Sequence, residues 1–186
     1  RKGAELEGMY KFTNKITWKA NMTLSENKIV NYTKYIDNWD TGGQETVNHE
    51  NTDLAFSPKI IWASNFNYKL GSNTSIDFIS KYVGEQFIDN TSSDDRMLED
   101  YLVSNLRISY KWDSKIFKIS KLTLQVTNLL NNEYVSNAWV YRFISDGWDP
   151  RGNDHYVNSD SERGYNMAAY FPEATRNYLL GLTLGF

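Results

Sequence analysis

The sequence predicts an all-β chain: an antiparallel transmembrane β-barrel segment of about seven strands. Three observations predict it. Long stretches alternate apolar and polar residues with a period of two, the mark of strands whose two faces meet different solvents. Those stretches run about 10 to 14 residues, whereas strands of water-soluble sheets average nearer five or six. Their connections alternate short and long, as in a membrane barrel with tight turns on one side and long loops on the other.

The first strand runs from Lys2 to Phe12, with Ala4, Leu6, Gly8, Tyr10 and Phe12 on one face and Glu5, Glu7, Met9 and Lys11 on the other. Arg1 to Gly8 carries no apolar signal-peptide core and reads directly as strand, so the chain is expected to be a mature product or a piece of something longer. A turn at Thr13–Lys15 leads to a second strand, with Ile16, Trp18, Ala20, Met22 and Leu24 alternating with polar residues. Ile29 to Ser57 is polar without clear periodicity and is expected to be a long loop. The third strand has Ile60, Trp62, Ser64, Phe66, Tyr68 and Leu70 on one face. Gly71-Ser72-Asn73 supplies a hairpin turn. A fourth strand then reaches about Phe87, with Ile76, Phe78 and Tyr82 opposite Asp77, Lys81 and Glu85. Ile88 to Met97 is a second loop, and the fifth strand carries Leu102, Leu106, Ile108, Tyr110 and Trp112. The connection Asp113–Ser120 precedes a sixth strand with Leu122, Leu124 and Val126 in phase, and Tyr141 to Ala174 separates it from the last. In that last strand Tyr178, Leu180, Leu182, Leu184 and Phe186 share one face.

Composition narrows the class. The chain has 186 residues, 40% of them hydrophobic, yet no apolar run is long enough for a transmembrane helix, which removes helical membrane proteins. A net charge of −3 without a basic cluster argues against nucleic acid as a partner. With no Cys there is no disulfide, thiolate metal site or Cys nucleophile. The alternative is a secreted soluble β-sandwich, a lectin-like binding module. The length of the strands and two loops of nearly thirty residues are awkward for it.

Three motifs carry a family resemblance. The first is Leu122-Thr123-Leu124-Gln125-Val126-Thr127-Asn128-Leu129-Leu130-Asn131-Asn132-Glu133-Tyr134, an alternating strand running into Asn-Leu-Leu and then Tyr. The second is Lys2-Gly3-Ala4-Glu5-Leu6-Glu7-Gly8, and the third is the approach Tyr170-Phe171-Pro172-Glu173-Ala174-Thr175-Arg176-Asn177-Tyr178 to a final strand ending in Phe. In this order they resemble the C-terminal portion of a TonB-dependent outer-membrane receptor of the Bacteroidetes type, over nearly the whole chain. The resemblance implies a barrel of about 22 strands, of which residues 1–186 supply about seven and cannot close alone. An independent seven-stranded barrel fits less well, because single-chain bacterial barrels have even strand numbers. It further implies an outer-membrane location and the capture of a scarce nutrient: a ferric siderophore foremost, otherwise haem, cobalamin or a glycan. The implied partners are outer-membrane lipid, the plug and remainder of the receptor, the TonB-ExbB-ExbD complex, the barrel assembly machinery and a surface lipoprotein. No cofactor is implied. Tyr178, Leu180, Leu182, Leu184 and Phe186 would form the membrane-assembly signal.

Ligand candidates come from aromatics beside arginines in the long loops, which can stack on and hydrogen-bond a partly aromatic anionic chelate. They are Trp39, Tyr141, Arg142, Trp148, Tyr156 and Arg163. Each also reads as an interface-belt or loop-packing residue. Asp146, Asp149, Asp154 and Asp160 offer oxygens without EF-hand spacing, so no metal is assigned. Asp94 and Asp95 read as solvated charges. His49 and His155 lie in predicted loops outside any nucleophile motif, so no catalytic residue is assigned and an enzyme is not expected. By phase Glu5 and Glu7 face the lumen, where they are expected to pair with Lys19 or Lys69.

Overall fold

A computed structural model describes all residues, 1–186. In chain order the strands are β1 Lys2–Lys11, β2 Ile16–Glu26, β3 Lys28–Asn38, β4 Gly43–Asp53, β5 Ile60–Leu70, β6 Thr74–Val83, β7 Gln86–Phe87, β8 Met97–Leu98, β9 Tyr101–Lys111, β10 Ile119–Thr127, β11 Val135–Ile144, β12 Val157–Ser159, β13 Tyr165–Pro172 and β14 Asn177–Gly185. Asp94–Arg96 and Pro150–Gly152 form single 3-10 turns. No helix is long and apolar enough to cross a membrane.

Seven strands form one antiparallel meander in the order β1-β2-β5-β6-β9-β10-β14. They are the seven that the alternation predicts. The fourth ends at Val83 and not at Phe87, because Gln86 and Phe87 turn away to pair with Leu98 and Met97. Register keeps the two faces distinct across the whole sheet. Tyr10, Trp18, Phe66, Phe78, Leu106, Val126 and Tyr178 are successive cross-strand partners in one row. On the opposite face Lys11, Thr17, Asn67, Asp77, Arg107 and Gln125 form a polar row in the same manner.

The apolar face is bare: Leu180 and Leu182 are 68% and 62% exposed, and Leu6, Tyr10, Trp18 and Phe66 are also exposed. The buried hydrophobic residues, among them Ile36, Ile88, Leu98, Ala138 and Phe143, gather at the loop end and not over the sheet. A sandwich needs a second sheet packed on that face, so the lectin-like alternative is not favoured. The sheet is open, with β1 and β14 as its edges, and residues 1–186 form no closed barrel. On its polar face Glu5 and Glu7 make no ion pair with Lys19 or Lys69. Register sets Glu5 opposite Thr23 and Glu7 opposite Asn21, so Lys19 is only a diagonal neighbour of Glu7 and Lys69 lies two strands away.

The Asn-Leu-Leu stretch has a structural role. Asn128 and Asn131 adopt left-handed backbone (φ 53° and 58°), which asparagine tolerates better than most residues. The buried Asn128 side chain donates from Nδ2 to the carbonyls of Asn132 and Ala174 and accepts from the Asn132 N–H. Asn132 Nδ2 reaches Leu102 O. One turn thereby fastens the start of β11 to β9 and to the segment entering β14.

The two long stretches expected to be loops both contain strands. Residues 29–57 are mostly the β3–β4 hairpin, and residues 141–174 contain the end of β11 and all of β12 and β13. They join as a second sheet in the order β12-β13-β11-β3-β4. β3 continues the rise of β2 and β11 that of β10, so the two run the same way and pair in parallel at Phe143–Asp37 and Ile144–Asn38. The two hairpins lean together over residues 84–100. Asp53 N–H bonds Ser92 Oγ at 2.6 Å, Ala55 N–H bonds Asn90 Oδ1 at 2.8 Å, and Ser161 N–H bonds Asp95 Oδ2 at 2.8 Å.

Candidate functional site

One face of this cap is aromatic and the other ionic. β3 alternates, with Lys34, Ile36 and Asn38 buried and Tyr35 exposed on the opposite side. On the aromatic side Phe143 is a fully buried hub. Trp39 stacks on it at 3.9 Å between centroids and 13° between planes, with Tyr141 at 5.6 Å and Tyr165 at 5.7 Å. Trp39 Nε1 donates to Tyr141 Oη at 3.2 Å, and Tyr141 Oη donates to Asp37 Oδ2 at 2.7 Å. Gln44 Nε2 holds the other Asp37 oxygen at 2.8 Å. These bonds to its charged form hold the Asp37 carboxyl below the usual carboxylate range. Arg151 lies over the Tyr165 ring at 5.8 Å. The result is a rigid, half-exposed ring platform with a fixed carboxylate and amide at its edge. Such a surface binds a flat or apolar ligand face by stacking and orients it with a few hydrogen bonds.

The ionic side is buried at its centre and reaches solvent only at its edge, through Glu162. Arg96 and the Asp160 side chain are buried and bonded to each other. Asp160 Oδ2 also meets Arg142 Nε at 3.0 Å, an ion pair without hydrogen-bond alignment. Arg142 Nη1 reaches Glu162 Oε2 at 2.6 Å. Arg96 Nε and Lys34 Nζ approach Asp89 Oδ2 at 3.0 and 2.6 Å, and Thr91 Oγ1 donates to Asp89 Oδ1 at 2.5 Å. Three cations and three carboxylates from β3, β11 and both connections thus neutralise one another, as buried charge requires. Burial opposes ionisation of Asp89, yet the bonds from Lys34 and Thr91 and the charges of Lys34 and Arg96 hold its carboxyl below the usual range. Burial pushes Lys34 down, against its bond to Asp89. A carboxylate whose pKa falls on folding binds fewer protons folded than unfolded. Its stabilisation is therefore complete above about pH 4 and lost as pH falls through the lower folded value. Hydrogen exchange of residues 84–100, corrected for intrinsic rates, should show protection that is full at pH 7 and collapses on acidification below that point.

The sequence-derived candidates fall on both sides. Trp39 and Tyr141 are joined in the platform. Arg142 points the other way, alternating with Tyr141 and Phe143, and is committed to the ionic cluster. Arg163 is held at the surface by Glu45 at 3.0 Å and Asp146 at 2.5 Å. Trp148 and Tyr156 are exposed, Tyr156 beside the His155 ring at 4.1 Å. Asp149 is fixed by Arg151, whose side-chain and backbone bonds lower its carboxyl to about 2. Asp146, Asp149 and Asp160 thus face different arginines and do not converge. The arginines expected to grip an anionic chelate are each occupied by a carboxylate. Lys34, Asp89, Arg96 and Phe143 were not legible as site residues: their contacts span long stretches of chain. The one local signal is Lys34 in phase with apolar Ile36.

With sheet and cap together the backbone can be set against solved structures. It matches the ferric yersiniabactin uptake receptor FyuA from Yersinia pestis with a TM-score of 0.51 at 12% identity, over 97% of this chain and 22% of that one. The fold is that of a stretch of β-barrel wall. The ferric-catecholate import receptor Fiu from E. coli K12, closed form, gives a TM-score of 0.46 at 16% identity, covering 96% of this chain and 26% of that one. The ferric citrate transporter FecA, unliganded, gives 0.46 at 16% identity, covering 96% and 30%. The chain therefore spans less than a third of the length of each of these receptors. No protein-family model and no curated protein matches the sequence.

Proposed function

We propose that residues 1–186 are wall and cap of a TonB-dependent outer-membrane receptor of the Bacteroidetes type that imports a ferric siderophore. The observation that carries the proposal is the seven-stranded meander, with one bare apolar face, one polar face, and a folded aromatic cap on the long-connection side. Unpaired sheet edges cost several kcal/mol per group in lipid, so β1 and β14 pair with further strands of the same barrel, about 22 in all. The remaining partners are the plug, the TonB-ExbB-ExbD complex, the barrel assembly machinery and a surface lipoprotein. Because the cap's arginines are already neutralised, the chelate is uncharged or cationic and is gripped by stacking on Trp39 and Tyr141.

Fractionated source cells probed with an antibody to Tyr178–Phe186 should show a large, heat-modifiable outer-membrane band. A 21.6 kDa soluble species that ignores boiling would overturn the receptor reading. In the intact receptor Trp39→Ala should weaken chelate binding at least tenfold, about 1.4 kcal/mol, whereas Trp39→Phe keeps most of it. Equal affinity of Trp39→Ala and the parent, by titration with a panel of uncharged and cationic ferric chelates, would remove the platform from the binding site.

A further inference from the structure

We infer that the seam between wall and cap holds a binding site for a small aliphatic polyamine, separate from the aromatic platform. The site is a cavity of about 650 Å³, within the size range of small-molecule pockets. One side comes from residues 97–102, which run from β8 into β9, and the other from residues 132–135 and the end of β13. The parts are tied together. Asn132 Nδ2 donates to Leu102 O at 2.8 Å, and Glu173 N–H to Tyr134 O at 3.0 Å. β9 is paired on both flanks, with β6 and β10, so the cavity does not arise at the open edges of the sheet.

The lining combines three chemistries. Half-buried Tyr101 and Tyr134 stack at 4.4 Å between centroids and 29° between planes, which offers electron-rich ring surface to a cation. Leu98, Leu102, Val135 and Pro172 supply apolar wall. Glu99, Asp100 and Glu133 stand exposed at the rim, none of them in an ion pair, and no Lys, Arg or His lines the cavity. A metal ion is the weaker occupant, because no three carboxylates converge closely enough to hold one. An organic ammonium needs no such convergence, since one carboxylate gives it a charge-assisted hydrogen bond. The neighbouring surface calls for more than one ammonium. A second cavity of about 390 Å³ shares Met97 and Asp100 with the first and adds Asp53, Lys59 and Glu85. Lys59 already faces Asp53 at 3.7 Å, which leaves Glu85 and the shared Asp100 without a countercharge. Carboxylates spread along two joined cavities, with apolar surface between them, match ammoniums spaced by methylenes. A single compact cation would fill only part of that length.

Calorimetric titration with spermidine tests the site, on the native protein purified from whichever cell fraction holds it. The expected result is saturable binding that equimolar magnesium does not displace. The combined change Glu99→Gln, Asp100→Asn and Glu133→Gln should weaken it about tenfold or more, as should Tyr101→Leu with Tyr134→Leu, whereas Tyr101→Phe with Tyr134→Phe keeps it. An unchanged circular-dichroism spectrum separates lost binding from lost fold. If the leucine pair fails to fold, the carboxamide changes carry the test, because they alter only exposed side chains. No saturable heat with the parent protein overturns the inference. Binding that magnesium displaces, or that survives either weakening variant, is general attraction to an acidic surface and overturns it equally. None of these outcomes depends on the receptor reading, which the fractionation above decides by itself.

Discussion

Asp160→Asn is expected to destabilise the cap by about 3–5 kcal/mol while leaving the barrel wall assembled. Arg96 and Arg142 both end on Asp160, and neither they nor its side chain has access to water. Asparagine keeps the shape and an acceptor oxygen but removes the countercharge. Two buried guanidiniums are then left with Asp89 and Glu162 alone, and uncompensated charge in a dry site is among the largest single-residue penalties. The loss is local, because the cluster joins β3, β11 and the connections and not the seven-stranded sheet. On the receptor reading, protease cleavage within residues 84–100 and 145–164 should rise sharply at constant heat-modifiability. Unchanged cleavage would mean that the cluster contributes nothing to cap order. The combined change Asp160→Leu, Arg96→Met and Arg142→Met should recover much of the protection, because apolar side chains of similar volume avoid the desolvation cost altogether.

That cluster also marks where reading the sequence stops. The wall is legible because alternation is a local property: Leu122, Leu124 and Val126 state their face without reference to any partner. The same logic fails at β3 and β4, which pair with each other but lie over polar neighbours on one side. The burial of Lys34 and its neighbours follows from Asp89 and Arg96, in a distant connection, and from Arg142 on β11. The candidate site was legible by residue type and not by arrangement. Trp39 and Tyr141 were singled out as loop aromatics, but the hub between them, Phe143, looks like any strand phenylalanine. Arg142 shows the limit most clearly. Beside Tyr141 in sequence it suggests an anion clasp, and one step of strand alternation turns it into the interior. Asn128 was read as a family marker, and its physical reason is a left-handed turn with three side-chain bonds.

Leu182→Arg should block assembly and Thr123→Arg should not, although the two residues lie on neighbouring strands of the same wall. Leu122 pairs with Leu182 and Thr123 with Gly181, so the two sites differ in face and scarcely in depth. A charge on the lipid face near mid-bilayer costs about 2–4 kcal/mol, whereas on the wet face it remains solvated. The opposing Gly181 leaves room for a longer side chain at position 123. A drop in the heat-modifiable fraction for Leu182→Arg alone supports a wall whose even-numbered β14 residues meet lipid. Equal tolerance of both changes would mean that water reaches both faces, which no barrel wall in a membrane allows. Equal loss would point to a lumen too tightly filled to accept another cation. The comparison therefore tests, within one pair of strands, the alternation on which both the fold and its function depend.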